Sequence, residues 1–187
     1  SFIKEYAGNK PYFLGVGFMS THTPYRAPKK YWDYYRRGDL KMHPNSQWPQ
    51  GSAEWMAGDS EPAQHYTTDG YTKPWRASEE QSLELLHGKY AVFSYVDAQI
   101  GKIIAAAKAR GDWENTIVVV TSDHGFSDGQ HGYWGKHNMW DPSLSVPLLI
   151  KPGNKELHDQ NPITRITEQI DIYPTLCDLA GLPVPDF

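Results

Sequence analysis

The chain has 187 residues, 39% of them hydrophobic, and a formal charge of −4 at pH 7. That length suits one domain with a sizeable core, and the mild negative balance argues against a nucleic-acid binder, whose footprint is a basic patch or stripe. A single cysteine, Cys177, excludes an internal disulfide framework, and no stretch approaches the ~18 apolar residues that span a bilayer.

Residues 4–10 form a polar lead-in. Residues 11–18, PYFLGVGF, are an apolar run of the right length for a buried strand. They end in MSTHTPYRAP, so His22 stands just beyond a strand candidate, in a loop that Pro24 and Pro28 are expected to hold extended. Residues 29–37, KKYWDYYRR, read as a short surface helix or turn. Periodicity is then lost over 38–77, where Trp48, Trp55 and Trp75 are scattered among Pro, Gly, Ser and Gln. A structureless stretch of that length is uncommon inside a compact domain and often functional, so 38–77 reads as a variable insertion near a site mouth. Much of the content of 7 Trp and 12 Tyr lies in such polar sequence, which suits a carbohydrate-facing surface or ordinary loop packing.

The longest helical pattern covers 77–110. Ser78 and Gln81 have the spacing of a capping box, and Gly111 is the expected C-terminal cap. Leu83, Leu86, Tyr90, Phe93, Ile100, Ile103 and Ala107 recur at helical spacing and define an expected apolar face. Gly88 and Gly101 mark kinks or close packing. Asp97 falls close to that face and, if buried, requires partners.

Residues 116–120, TIVVV, are five β-branched residues in a row, the pattern of a strand buried on both faces in a parallel sheet. Asp123, His124 and Gly125 follow directly. In open α/β sheets ligands sit beyond the carboxyl ends of strands, so a carboxylate and an imidazole stand where a site is expected. Two readings of the pair remain: a metal-ligating pair, with Asp favouring a hard ion such as calcium or magnesium, or a turn capped by Asp123 with His124 a satisfied loop histidine. Glycines at 125, 129, 132 and 135 allow the loop to fold back tightly towards Lys136 and His137. Residues 146–150, VPLLI, give a third strand candidate, with Pro147 arguing for its start or a sheet edge. Asp171 is expected to cap a helix over 172–179, closed by Gly181. Cys177 lies on its apolar face and reads as a small buried hydrophobe.

Three segments together resemble the sulfatase family, within the alkaline phosphatase superfamily: PYFLGVGFMSTHTPYRAPKKY, TIVVVTSDHGFSDGQHGYWGKHNMWDPSLSVPLLIKPG and ITEQIDIYPTLCDLAGLPVP. They occur in the family's order, and Asp-His-Gly after the strand is similar to the iduronate sulfatase-like and choline sulfatase-like branch. The resemblance implies an α/β fold, part of a mixed, mostly parallel sheet flanked by helices, and assigns 1–187 to the central to C-terminal portion of a catalytic domain. It also implies roles. Asp123 and His124 match the family's site for a divalent cation, usually calcium. Lys136 matches the lysine that contacts the sulfate group, and His22 the histidine near sulfate and leaving oxygen. His131 resembles a further substrate-side position, and His137 reads as a packing residue, with reach to substrate as the alternative.

The implied substrate is a sulfate ester of a small molecule or saccharide, and the implied compartment is periplasmic, extracellular or lysosomal. The family's nucleophile is formylglycine, made within Cys/Ser-x-Pro-x-Arg. That motif does not occur: Cys177 is followed by Asp-Leu-Ala-Gly, and Ser60-Glu-Pro-Ala-Gln and Ser145-Val-Pro-Leu-Leu lack the arginine. The nucleophile and the family's N-terminal pair of metal-binding aspartates are therefore expected in a missing N-terminal portion, and the isolated chain is expected to be inactive. Two alternatives stand beside this reading, a phosphate or phosphonate ester hydrolase of the same superfamily and a non-catalytic binder of sulfated glycans. The sulfatase reading expects His22, Asp123, His124 and Lys136 to converge on one pocket at one rim of the sheet.

Overall fold

The computed structural model describes residues 2–6, 10–56, 77–153 and 162–184. In chain order the helices and strands are α1 (Phe2–Glu5), α2 (Lys29–Trp32), α3 (Glu79–Arg110), β1 (Ile117–Thr121), β2 (Ser127–Asp128), β3 (Trp134–Gly135), α4 (Asp141–Leu144), β4 (Leu148–Pro152) and α5 (Ile172–Ala180). The chain divides into two compact units. One holds the described residues among 1–7, 103–121 and 147–187, and the other those among 8–102 and 122–146.

Helix α3 begins as its sequence dictates. The Ser78 amide donates to Gln81 Oε1 at 2.8 Å, and the Gln81 amide donates to Ser78 Oγ at 3.2 Å, so two otherwise orphaned donors are satisfied reciprocally. Gly111 ends the helix at φ 88°, its amide donating to the Lys108 carbonyl. The buried face differs from the expected one. Tyr90 and Phe93 are 43% and 50% exposed, while Ser82, Leu85, Leu86, Ala91, Val92 and Val96 are buried. Leu86 and Ala107 of the expected face are buried too, so the observed stripe overlaps the expected one and departs from it at Tyr90 and Phe93.

In the unit that contains residues 8–102, Leu85, Leu86 and Val92 join Tyr25 and Trp134 in one core cluster, flanked by Ala27, Leu40, Met42, Ala77 and Phe126. Each fully buried aliphatic side chain here contributes about 1.5–3 kcal/mol. Trp134 is 1% exposed, and its indole N–H is satisfied by Ser82 Oγ at 3.2 Å. Gly88 is a close-packing glycine: a Cβ there would lie 2.9 Å from Tyr25 Cδ2 and 3.1 Å from Trp32 Cη2. Gly101 has open space around it.

Residues 11–18 do not form a strand. They pair with no other described strand, and Phe13 and Val16 are 87% and 49% exposed. An apolar run becomes a strand only when a neighbour accepts its backbone hydrogen bonds, and Pro11 has no N–H to offer.

In the other unit β1 pairs antiparallel with β4, Ile117 opposite Pro152 and Thr121 opposite Leu148. The expected parallel partner for β1 is replaced there by an antiparallel one, and Ile117 to Val120 are half-buried and Thr121 exposed rather than buried on both faces. β4 is shifted two residues towards the C-terminus of its expected span, so that Pro147 precedes the ladder and costs it no donor. Lys151 Nζ donates to the carbonyls of Trp113 and Thr116 at 2.9 and 3.1 Å. Cys177 is 7% exposed on α5, as a small hydrophobe. Asp171 does not cap α5 through its side chain. Its carboxylate accepts the Glu168 amide at 2.8 Å in a capping box one turn earlier, around Gln169–Asp171. The expected insertion 38–77 lies outside the described residues over 57–76.

Candidate functional site

Asp123 and His124 lie in the turn after β1. The Asp123 side chain is 84% exposed, and its Oδ1 accepts the His124 amide at 3.0 Å. The slight burial of Asp123 pushes its carboxyl upward, but the His124 ring, that amide, its own backbone amide and the Ser122 hydroxyl outweigh it and hold the group below the ordinary carboxylate value. His124 Nδ1 lies 2.7 Å from the Gly125 carbonyl. A carbonyl only accepts, so Nδ1 carries a proton, and in the neutral ring Nε2 presents a lone pair.

That lone pair lies 3.5 Å from Asp123 Oδ2. Two lone-pair atoms facing each other at this distance are reconciled by a second ring proton or by a cation bound to both. A ring nitrogen tied to a carbonyl is also the usual second support of a metal-ligating histidine. The pair therefore fits as two ligands of a divalent ion. It does not fit as a complete site: among the described residues no group of three or more His, Cys, Asp or Glu could hold a metal, and calcium takes 6–8 oxygen ligands.

The turn is anchored from below. The Gly125 amide donates to the Ser143 carbonyl at 3.0 Å. The Ser143 hydroxyl donates to the Gly135 carbonyl at 3.3 Å and lies 3.2 Å from Ser127 Oγ. Ser143 is 3% exposed and Ser127 fully buried. Lys136 follows Gly135, half-buried, with its carbonyl accepting the Asn138 amide at 2.8 Å. Ser143 on α4 thus joins the Asp123–His124 turn to the residue preceding Lys136. Sequence reasoning missed both serines, because nothing in their local spelling marks a partner so far along the chain.

His22 sits in a turn, its amide donating to the Met19 carbonyl at 3.0 Å, rather than in an extended loop. Its Nδ1 lies 2.6 Å from the Thr23 carbonyl, so this ring too is held with a proton on Nδ1. The following Tyr25 belongs to the core cluster on α3, which fixes the turn to the helix. Two buried polar atoms beside candidate residues lack a hydrogen-bond partner: Thr23 Oγ1 after His22, and Asn138 Nδ2 after His137.

His131 has φ 57° and ψ 20°, left-handed backbone in a residue other than glycine. Its amide donates to the Asn45 carbonyl at 2.7 Å, and its ring packs 4.9 Å from that of Trp140. Trp48 and Tyr133 reach the same indole at 5.2 and 5.7 Å. These loop aromatics pack on one another. His137 is exposed, contrary to the packing role expected of it. Asp123, His124, His22, His131 and Lys136 all fall in one compact unit, and Asp123 and His124 are in direct contact.

A protein-family model described as Sulfatase matches residues 1–182. A protein named Sulfatase from Formosa agariphila is 28% identical, over 97% of this chain and 34% of its own length. Iduronate 2-sulfatase of Mus musculus is also 28% identical, over 94% of this chain and 37% of its own. Among solved structures, a phosphonate monoester hydrolase from Silicibacter pomeroyi superposes with a TM-score of 0.64 at 26% identity, over 85% of this chain and 32% of that one. The superposition bears out the α/β class, a sheet flanked by helices. The chain spans about a third of the length of the curated relatives it matches.

Proposed function

The chain belongs to the sulfatase family, and from that premise we propose that it supplies part of the active site of a sulfuric ester hydrolase. His22, in its doubly protonated form, is assigned the proton that the leaving oxygen needs: Nε2 gives it up as the bond from that oxygen to sulfur breaks, and the ring is left neutral with its remaining proton on Nδ1. Lys136 is assigned the sulfate oxygens, where a fixed ammonium favours the extra negative charge of the transition state. Asp123 and His124 are assigned to one end of a divalent-cation site, calcium by family resemblance, and His131 to the substrate side. When bound, the ion supplies a fixed positive charge against the developing oxyanions. The observation that carries the reading is the bridge through Ser143, which ties the Asp123–His124 turn to the strand leading into Lys136.

The nucleophile is a formylglycine outside these 187 residues, and with two metal ligands in place the chain by itself is inactive. The substrate class is a sulfated saccharide, by likeness to the iduronate 2-sulfatase branch, with residues 38–77 shaping the pocket mouth. A periplasmic, extracellular or lysosomal compartment goes with that reading, and no helix among the described residues is long and apolar enough to cross a membrane.

Titration of the chain with inorganic sulfate tests it. The side-chain NMR signals of His22 and Lys136 shift together and saturably, Lys136→Met abolishes the response, and 4-nitrophenyl sulfate is not turned over. Sulfate shifts at neither residue sink the assignment, and turnover at stoichiometric protein refutes the inactivity. The likeness to a phosphonate monoester hydrolase supports a second reading, an ester hydrolase of phosphonates. Methylphosphonate displacing sulfate at lower concentration favours it.

A further inference from the structure

Asp97, which the sequence places near the apolar face of α3, is exposed. It lines a surface cavity of about 470 Å³ together with Tyr31, Tyr34, Phe93, Ser94 and Ala98. Phe93 and Asp97 stand four residues apart on the helix and therefore share one face. Tyr31 is 5% exposed and rigidly seated: its ring meets Tyr34 edge-on at 5.6 Å and Tyr95 at 5.3 Å. Tyr34 and Phe93 are 64% and 50% exposed. Among the described residues the Asp97 carboxylate makes no hydrogen bond or ion pair.

Three aromatic rings and one unpaired carboxylate around a hollow are the chemistry that recognises an organic ammonium. Ring faces attract the cation through their quadrupoles, and the carboxylate supplies the countercharge. The rings already behave this way towards the chain's own lysines, Lys30 Nζ lying 4.8 Å from the Tyr31 ring and Lys89 Nζ 5.4 Å from the Phe93 ring. Neither ammonium pairs with Asp97. We propose that the Tyr31–Tyr34–Phe93–Asp97 cavity is a binding site for an organic ammonium cation, separate in residues from the site assigned to sulfate chemistry.

The test is NMR titration of the full chain with tetramethylammonium, with Nα-acetyl-lysine amide, and with tert-butanol as an uncharged isostere. Both cations shift the Tyr34 and Phe93 ring signals saturably, and tert-butanol does not. The tighter of the two identifies the source as a free quaternary ammonium or a lysine side chain. Asp97→Asn, at an exposed position, weakens the cations about two- to fivefold, and Phe93→Leu does so to a similar extent of about two- to fivefold. Raised salt weakens binding to the wild type more than to Asp97→Asn. No saturable shift, equal binding of tert-butanol, or an Asp97→Asn variant that binds as the wild type overturns the proposal. Sulfate binding at Lys136 is unaffected by either substitution, so the two assignments fail separately.

Discussion

The Gly125 amide and the Ser143 carbonyl meet at 3.0 Å, and this contact leaves no room for a side chain at Gly125. A Cβ there would lie 2.1 Å from the Pro142 carbonyl oxygen and 2.6 Å from that of Ser145. Both obstacles are backbone, so neither yields by changing a rotamer. Gly125→Ala is expected to destabilise the chain at the upper end of the usual overpacking cost of about 1–3 kcal/mol. Urea unfolding measures it. A loss of a few tenths of a kilocalorie would mean that the turn moves freely off α4.

Ser143→Ala keeps the carbonyl that receives Gly125 but removes the hydroxyl between Ser127 and Gly135. Ser127 is fully buried, so its own hydroxyl loses a partner where water does not replace it. The expected cost is about 1–3 kcal/mol, with faster amide exchange in Trp134 to Lys136. If Lys136 places sulfate, sulfate affinity falls in the same variant while the His22 signals of the free chain stay unchanged.

The features legible in the sequence are those whose physics is local. Ser78 and Gln81 sit three residues apart, so spacing alone reveals their capping box, and Gly111 and Gly181 occupy the left-handed positions that end helices. Cys177 reads as buried because its neighbours on α5 repeat at helical spacing. Misreadings occurred where a partner decides the outcome. Residues 11–18 have the composition of a strand, but strands are made by ladders and no described strand pairs with them. The TIVVV run has a composition suited to parallel burial, yet its register is with β4, antiparallel. Tyr90 and Phe93 count as apolar in a periodicity argument although each keeps about half its surface in water. In the candidate site, the pairing of Asp123 with His124 was legible by adjacency, whereas the serine bridge beneath it required the fold.

His131 holds left-handed backbone angles without being glycine. A Cβ in that region costs about 1–2 kcal/mol. His131→Gly and His131→Ala both lose the contact with Trp140, so their difference isolates the backbone. The glycine variant is expected to be the more stable of the two by about 1 kcal/mol. Equal stabilities in thermal unfolding would show that the loop relaxes out of this conformation once the ring is gone.

Lys89 and Asp128 form an ion pair whose side chains are 12% and 19% exposed, and the same ammonium lies 4.8 Å from the Phe126 ring. Burial raises the Asp128 carboxyl above its ordinary 3.8; Lys89, and to a lesser extent His43, pull it back without overcoming the burial. The folded value therefore exceeds the unfolded one. Within the window between them the folded chain holds more protons, so Asp128's contribution to stability is fully present below the unfolded pKa and declines as pH rises through the folded pKa. Removing the lysine leaves a carboxylate with little solvent and no countercharge. Lys89→Met is expected to cost about 3 kcal/mol at neutral pH and to extend the window upward, so that the variant regains stability on acidification. The double change Lys89→Met with Asp128→Leu restores most of the loss, because nothing charged is left to bury. Urea melts at several pH values separate the outcomes: a single variant with no extra pH dependence, or a double variant as unstable as the single one, would assign the contribution of Lys89 to packing against Phe93 and Phe126 rather than to the pair.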